Sequence, residues 1–135
     1  MVFWKKEVII MAVTKRILIV EDDPEMKLIY ERFFQSAEDK YRIMIVNDAR
    51  VAFKKLGESE FDLVILDVIM EPMDGESFFA CVREDDKRKD VPVLVVSVIN
   101  PLDIEHFKRL GNVDFLRKPI TETQLFQKIK KLTGQ

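Results

Sequence analysis

The sequence predicts an α/β protein, a (βα)5 doubly wound sheet of five parallel strands. Five short runs of Ile, Val and Leu alternate with stripes of helical spacing. The runs are nearly continuous in apolar character, as strands covered on both faces require. Acidic, hydroxyl and basic residues gather directly after the runs, where open α/β sheets bind ligands.

The first ten to fifteen residues stand outside this scheme. The expected organisation is an extension over residues 1–14 and one domain over residues 15–135, a length suited to a single core. Met11 stands just ahead of the first strand. Residues 1–10 are therefore read as an extension from an upstream start codon or a segment packing on the sheet edge, with Phe3 and Trp4 a small sticky patch. The apolar stretch 8–13 is shorter than a signal-peptide core and is followed by Thr14-Lys15-Arg16 rather than a small-residue cleavage site. No run approaches the ~18–20 apolar residues that cross a bilayer. A net charge of −2 supplies no field for nucleic acid or an anionic membrane, so neither is an expected partner. Cys81, the single cysteine, excludes an intrachain disulfide framework and fits a reducing compartment. A cytoplasmic location is expected.

The strand candidates are Ile17-Leu18-Ile19-Val20, Ile43-Met44-Ile45-Val46, Leu63-Val64-Ile65-Leu66, Val93-Leu94-Val95-Val96 and Val113-Asp114-Phe115-Leu116. Each is too short for a buried helix. Between the first two, Met26, Ile29, Tyr30, Phe33, Phe34 and Ala37 mark one face of a helix. Ala49, Ala52, Phe53 and Leu56 mark the next, with Asp48 as its N-cap and Gly57 as its stop. Phe78, Cys81 and Val82 form a weaker third stripe, which makes Cys81 a buried small hydrophobe. Asn100-Pro101 caps a fourth helix carrying Ile104, Phe107 and Leu110 and ending at Gly111. Thr121 to Gln124 is a capping box ahead of Leu125, Ile129 and Leu132. The mixed charges from Glu84 to Asp90 read as a solvated helix end and loop, and His106 as an exposed surface group.

Short links between such elements imply right-handed crossovers, so function is sought beyond the strand ends. The first strand is followed by Glu21-Asp22-Asp23-Pro24, the third by Asp67, the fifth by Arg117-Lys118-Pro119, and Ser97 closes the fourth. Alone, each has a plain reading: Asp22 or Asp23 as a helix cap, Asp67 as a turn residue, Ser97 as a local backbone partner, Lys118 as a surface charge. Together, on neighbouring strands, they converge on one edge. Clustered carboxylates repel one another unless a cation is present. An oxygen-rich acidic site suits Mg²⁺, which binds through one or two carboxylates and keeps its waters. A carboxylate there can attack a phosphoryl group to form an acyl phosphate, with the metal and Lys118 balancing charge on the phosphoryl oxygens.

These motifs resemble those of the response-regulator receiver family of two-component signalling, also called the chemotaxis-regulator-like fold. The resemblance covers roughly residues 15–133. It rests on four motifs in the family's order: Ile19-Val20-Glu21-Asp22-Asp23-Pro24, the segment Asp67 to Gly75, Ser97, and Phe115-Leu116-Arg117-Lys118-Pro119. It implies a flavodoxin-like sheet of order 2-1-3-4-5, with Asp67 as phosphoacceptor forming an aspartyl phosphate. It implies Mg²⁺ held by Glu21, Asp22, Asp67 and the backbone carbonyl of Ile69, with Asp23 supporting. Ser97 then matches the switch hydroxyl, Lys118 the phosphate-contacting lysine, Phe115 the switch aromatic, and Lys118-Pro119 a linkage typically cis in the family.

The resemblance further implies a phosphorelay role rather than a turnover enzyme. A histidine kinase or histidine phosphotransfer domain is the expected donor. A target protein would meet the face made by the fourth helix, fifth strand and fifth helix. With no output domain following in the sequence, action by docking or by relaying the phosphate is expected. The alternatives are a phosphorylation-independent pseudo-receiver or, further off, an enzyme on a flavodoxin-like fold. Against the enzyme, no strand is followed by Asp-x-Asp, and neither phosphate-binding glycine motif occurs. Two departures from the family pattern stand out. Glu71 precedes Pro72, which moves the proline by one place, and Ile69 and Ile99 are apolar where they flank the path of attacking water. The second departure implies slow self-dephosphorylation.

Overall fold

The computed structural model describes residues 14–69 and 74–134. The expected extension (save Thr14) and the shifted proline at Pro72 fall outside the described residues. The elements run β1 (Lys15–Val20), α1 (Pro24–Gln35), β2 (Tyr41–Val46), α2 (Ala49–Glu58), β3 (Leu63–Leu66), α3 (Gly75–Glu84), β4 (Val93–Ser97), α4 (Pro101–Leu110), β5 (Val113–Arg117) and α5 (Glu122–Thr133). All five strands are parallel, in the order β2-β1-β3-β4-β5.

The apolar runs sort by parity into two cores, because successive strand residues face opposite sides. Leu18, Val20, Val64, Leu66, Val93 and Val95 pack beneath α2, α3 and α4. Ile17, Ile19, Leu63, Ile65, Leu94 and Val96 pack beneath α1 and α5. β1, β3 and β4 are thus buried on both faces from Ile17 to Val20 and throughout the other two. β2 is an edge strand, with Arg42 and Met44 exposed. At that end Phe34 meets Tyr41 and Phe126 edge-on, and Tyr41 stacks on Phe126, tying α1, β2 and α5 together.

The helix starts follow from side chains that satisfy free N–H groups. Asp23 caps α1 ahead of Pro24, Asp48 caps α2, Asp74 caps α3, Asn100 caps α4, and Thr121 with Gln124 forms the capping box of α5.

Four expectations are corrected. α2 runs past Gly57 to Glu58, and a Cβ at Gly57 would stand 3.0 Å from the Arg88 guanidinium, so this glycine makes room for Arg88 and does not stop the helix. Arg88 accordingly turns in from the charged run to donate to the Leu56 carbonyl at 2.7 Å and to pair with Asp85. Phe53 is half-exposed with Arg88 over its ring. Finally, Gly75, Phe78, Phe79 and Val82, spaced i, i+3, i+4, i+7, form the buried stripe of α3, which leaves Cys81 exposed beside it.

α4 is wound as a 3-10 helix and breaks at Ile104 (φ −120°, ψ 20°). The spacing of three between Ile104, Phe107 and Leu110 suits that winding, which eclipses residues at i and i+3.

Candidate functional site

Each reactive residue is fixed by extending a strand's ladder one step beyond its end. The Glu21 N–H donates to the Val46 carbonyl (3.0 Å), Asp67 N–H to Val20 (3.2 Å) and Lys118 N–H to Ser97 (2.8 Å). The strand order therefore sets Glu21 and Asp67 side by side and brings Lys118 across from β5. The Lys118 ammonium donates to Glu21 Oε1 at 2.7 Å and to Asp67 Oδ2 at 2.8 Å, joining residues 97 and 51 positions apart. Glu21 is 1% exposed and Asp67 8%. The remaining carboxylate oxygens are also engaged: Asp67 Oδ1 accepts the Ile69 N–H (3.0 Å) and Glu21 Oε2 the Asp23 N–H (3.3 Å).

Two buried carboxylates face one ammonium, so the site carries an excess of negative charge. Burial pushes the Glu21 carboxyl up, and the nearby Asp67 charge adds to this, against the opposing pull of Lys118. Burial alone would lower Lys118, but the two carboxylates outweigh it and raise it. Tyr30, read from the sequence only as core, is 1% exposed. Its hydroxyl is pushed well up by burial and then by the charges of Glu21 and Asp67. An aromatic stripe gives no sign that one member bears a hydroxyl within the field of an acidic site.

The other predicted residues lie around this centre without joining the ion pair. Asp22 is exposed and forms no ion pair among the described residues. Asp23 spends its side chain on the Glu25 N–H, capping α1. Ser97 is buried, and among the described residues its Oγ receives a long 3.5 Å contact from the Ile99 N–H. Ile69 is 51% exposed beside Asp67. Phe115 is half-buried against the core beneath α2, α3 and α4, and the Lys118-Pro119 peptide is cis. His106 is exposed as expected and pairs with Glu76 at 3.0 Å. Among the described residues no three carboxylate, histidine or cysteine side chains gather as a ready-made metal cage.

The family model for the response regulator receiver domain matches residues 17–130, a span that holds β2 to β5, all but the first two residues of β1, and the whole site. The chain belongs to this family. The sensor histidine kinase GacS of Pseudomonas protegens is among its relatives, with 30% identity over 88% of this chain and 13% of that protein. The transcriptional regulatory protein MalR of Bacillus subtilis is 33% identical over 82% of this chain and 46% of its own length. The chain therefore spans less than half of these two curated relatives. Among solved structures, the chemotaxis response regulator CheY4 of Vibrio cholerae aligns with a TM-score of 0.80 at 26% identity, covering 88% of this chain and 98% of that one. The receiver domain of a sensor histidine kinase from Pseudomonas aeruginosa, solved with a magnesium ion coordinated in its active site cleft, aligns equally well at 26% identity over 90% and 99%. The family is a phosphoacceptor signalling module rather than a class of turnover enzymes. Among the described residues no helix of this receiver is long and apolar enough to cross a membrane.

Proposed function

We propose that this receiver accepts a phosphoryl group on Asp67 from a phosphohistidine donor and thereby switches a protein-docking surface or passes the group onward. The observation that carries the reading is the Lys118 ammonium bridging the buried carboxylates of Glu21 and Asp67. A phosphorylation-independent module has no use for two buried acids whose charge exceeds that of their partner, an arrangement that costs stability.

The donor set fits Mg²⁺. Glu21, Asp22, Asp67 and the Ile69 carbonyl would hold it, with waters completing the shell, and a ready-made cage is not needed for an ion that takes one or two carboxylates. When bound, the ion supplies positive charge to phosphoryl oxygens and to the acid pair. The remaining chemistry is the chain's own. An Asp67 oxygen attacks phosphorus, a P–O bond forms as the P–N bond to the donor histidine breaks, and the electron pair leaves with the imidazole nitrogen. Asp67 Oδ1 and Oδ2 each accept one hydrogen bond, from Ile69 N–H and from Lys118. Whichever oxygen is esterified gives up its bond, and the freed donor can then serve a phosphoryl oxygen. The new charge, about −1.5 to −2, arises beside Lys118, and by the family resemblance Ser97 would turn to it and bias a two-state element. By this reading the response passes through Ser97 and Phe115 to the face of α4, β5 and α5, where a target protein docks.

The test is Mg²⁺-dependent labelling by acetyl phosphate, followed by a phosphotransfer screen against histidine kinases of the same genome. Labelling that needs Mg²⁺ and disappears in Asp67→Asn, with the fold intact by circular dichroism, is the expected result. An unlabelled wild-type chain would leave the phosphorylation-independent module as the better account.

A further inference from the structure

We infer that Arg83 anchors the C-terminal half of α4 to α3, so that Ile104 acts as a hinge and, within the stretch 98–112, only the segment between Ser97 and Ile104 moves when Asp67 is phosphorylated. The inference rests on the phosphoacceptor reading above.

α4 divides into two unequal parts at Ile104, which is buried (7% exposed) and departs from helical geometry. The part that follows is held from several sides. Arg83 Nε donates to the Leu110 carbonyl at 2.9 Å and to Gly111 at 3.3 Å, while Nη2 donates to Gly111 at 2.9 Å and to Asn112 at 3.2 Å. Gly111 (φ +75°) and Asn112 (φ +52°) both have positive φ, and three successive carbonyls at this turn, of Leu110, Gly111 and Asn112, accept from one guanidinium. The Asn112 carbonyl also accepts the Val93 N–H at 3.0 Å, and its side chain donates to the Asp90 carbonyl at 2.7 Å, so the same turn is tied to the start of β4. Phe107 packs edge-on against Phe79 of α3, and the Arg83 guanidinium lies 4.8 Å from the Phe79 ring centre.

The part that precedes Ile104 has little of this. Asn100 caps Leu102 and accepts the Asp103 N–H, both local bonds. Its ties to other elements are a 3.3 Å bond from Arg117 Nε to the Val98 carbonyl and the packing of half-buried Ile99 on the core. Val98 is 57% exposed and Leu102 74%. A displacement of Ser97 toward a phosphoryl group therefore pulls on the weakly held side of a buried pivot. The anchored side resists, because moving it breaks several hydrogen bonds and a ring contact at once. Arg83 is thus a positioning residue for the output, and Lys cannot replace it fully, since a single ammonium does not span three carbonyls as a guanidinium fork does.

The test is amide hydrogen exchange on the whole chain for wild type, Arg83→Met and Arg83→Lys, with and without acetyl phosphate and Mg²⁺, with phosphoryl incorporation counted by intact mass. In wild type, phosphorylation changes exchange in 98–104 by about fivefold or more, while 105–112 stays within about twofold. In unphosphorylated Arg83→Met, 105–112 exchanges about tenfold faster, and the response to phosphorylation spreads into it. Arg83→Lys falls between the two, and it carries the comparison if the Met variant does not fold. A wild-type response spread evenly over 98–112 overturns the inference, as does wild-type exchange over 105–112 in either variant. If no phosphoryl group is incorporated, the functional reading fails on its own, and the anchor is still judged on the unphosphorylated proteins.

Discussion

Glu21 and Asp22 show how one strand-end acid differs from another once its surroundings are fixed. Both follow β1, yet Asp22 is exposed while Glu21 is almost wholly buried, and the Glu21 carboxyl is raised because desolvation outweighs the pairing with Lys118. A carboxyl raised on folding takes up a proton more readily in the folded than in the unfolded chain, so its ionised form costs stability as pH rises through the raised value. Glu21→Gln is therefore expected to raise the melting midpoint at pH 7 by about 2–5 °C, with Asp67 still neutralising Lys118. The gain should shrink as pH falls into the range where wild-type Glu21 is itself protonated. A lowered midpoint at pH 7 would show that the pairing, not the burial, dominates at this position. Sequence patterns identify such an acid but not its burial, since both Glu21 and the exposed Asp22 follow the same strand. Cys81 and Phe53 mark the same limit on the apolar side. Helical spacing assigned both to the core, but Phe79 and the inward turn of Arg88, which no local pattern announces, leave them at the surface.

Elements set the site through close contacts of backbone as much as through side chains. Gly75 opens α3 directly against the loop after β3, with its N–H donating to the Val68 carbonyl at 3.1 Å. A Cβ at this position would stand 2.5 Å from Val68 Cα and 2.8 Å from the Asp67 carbonyl oxygen, so α3 can start there only with glycine. Gly75→Ala should cost about 1–3 kcal/mol in urea unfolding and slow acetyl phosphate labelling, because the relief it demands is movement of the backbone at Asp67 and Val68. Unchanged stability and labelling would mean that the loop yields without cost. A second element contact joins β5 to α5, where Asp114 receives Lys128 at 3.0 Å and Lys131 at 3.2 Å. Burial pushes Asp114 up, but the Phe115 N–H and the two ammonium groups outweigh it and hold it below the ordinary carboxylate value. Its stabilisation is present above that ordinary value and lost as pH falls through the lower folded one. Asp114→Asn should thus cost about 0.5–1 kcal/mol near neutrality, and the two proteins should converge in acid. A gap that persists in acid denaturation would point to packing instead of charge. Every helix and strand was legible from periodicity and caps. The 3-10 winding of α4 was not, because a spacing of three or six between Ile104, Phe107 and Leu110 suits either kind of helix.

For the whole molecule, parallel strands in the order β2-β1-β3-β4-β5 turn four separate stretches of sequence into one site. The convergence was legible because each reactive residue ends a strand, and backbone geometry then aims them alike. The ion-pair partners of Lys118 were not, since sequence places it at the rim without saying which carboxylates it reaches. By the family resemblance Ile69 and Ile99 stand where the path of attacking water is flanked, so a protein phosphorylated on Asp67 should decay over minutes or longer in Mg²⁺, and a half-life of seconds by loss of label would contradict that reading. The 97-residue span between Glu21 and Lys118 also orders events during synthesis. A nascent chain that has β1 to β4 in place but β5 still inside the ribosome would carry facing acids without their counter-charge. If Asp67 is the phosphoacceptor, competence to receive a phosphoryl group would therefore be completed only with the last of the five strands, when Lys118 reaches the two acids.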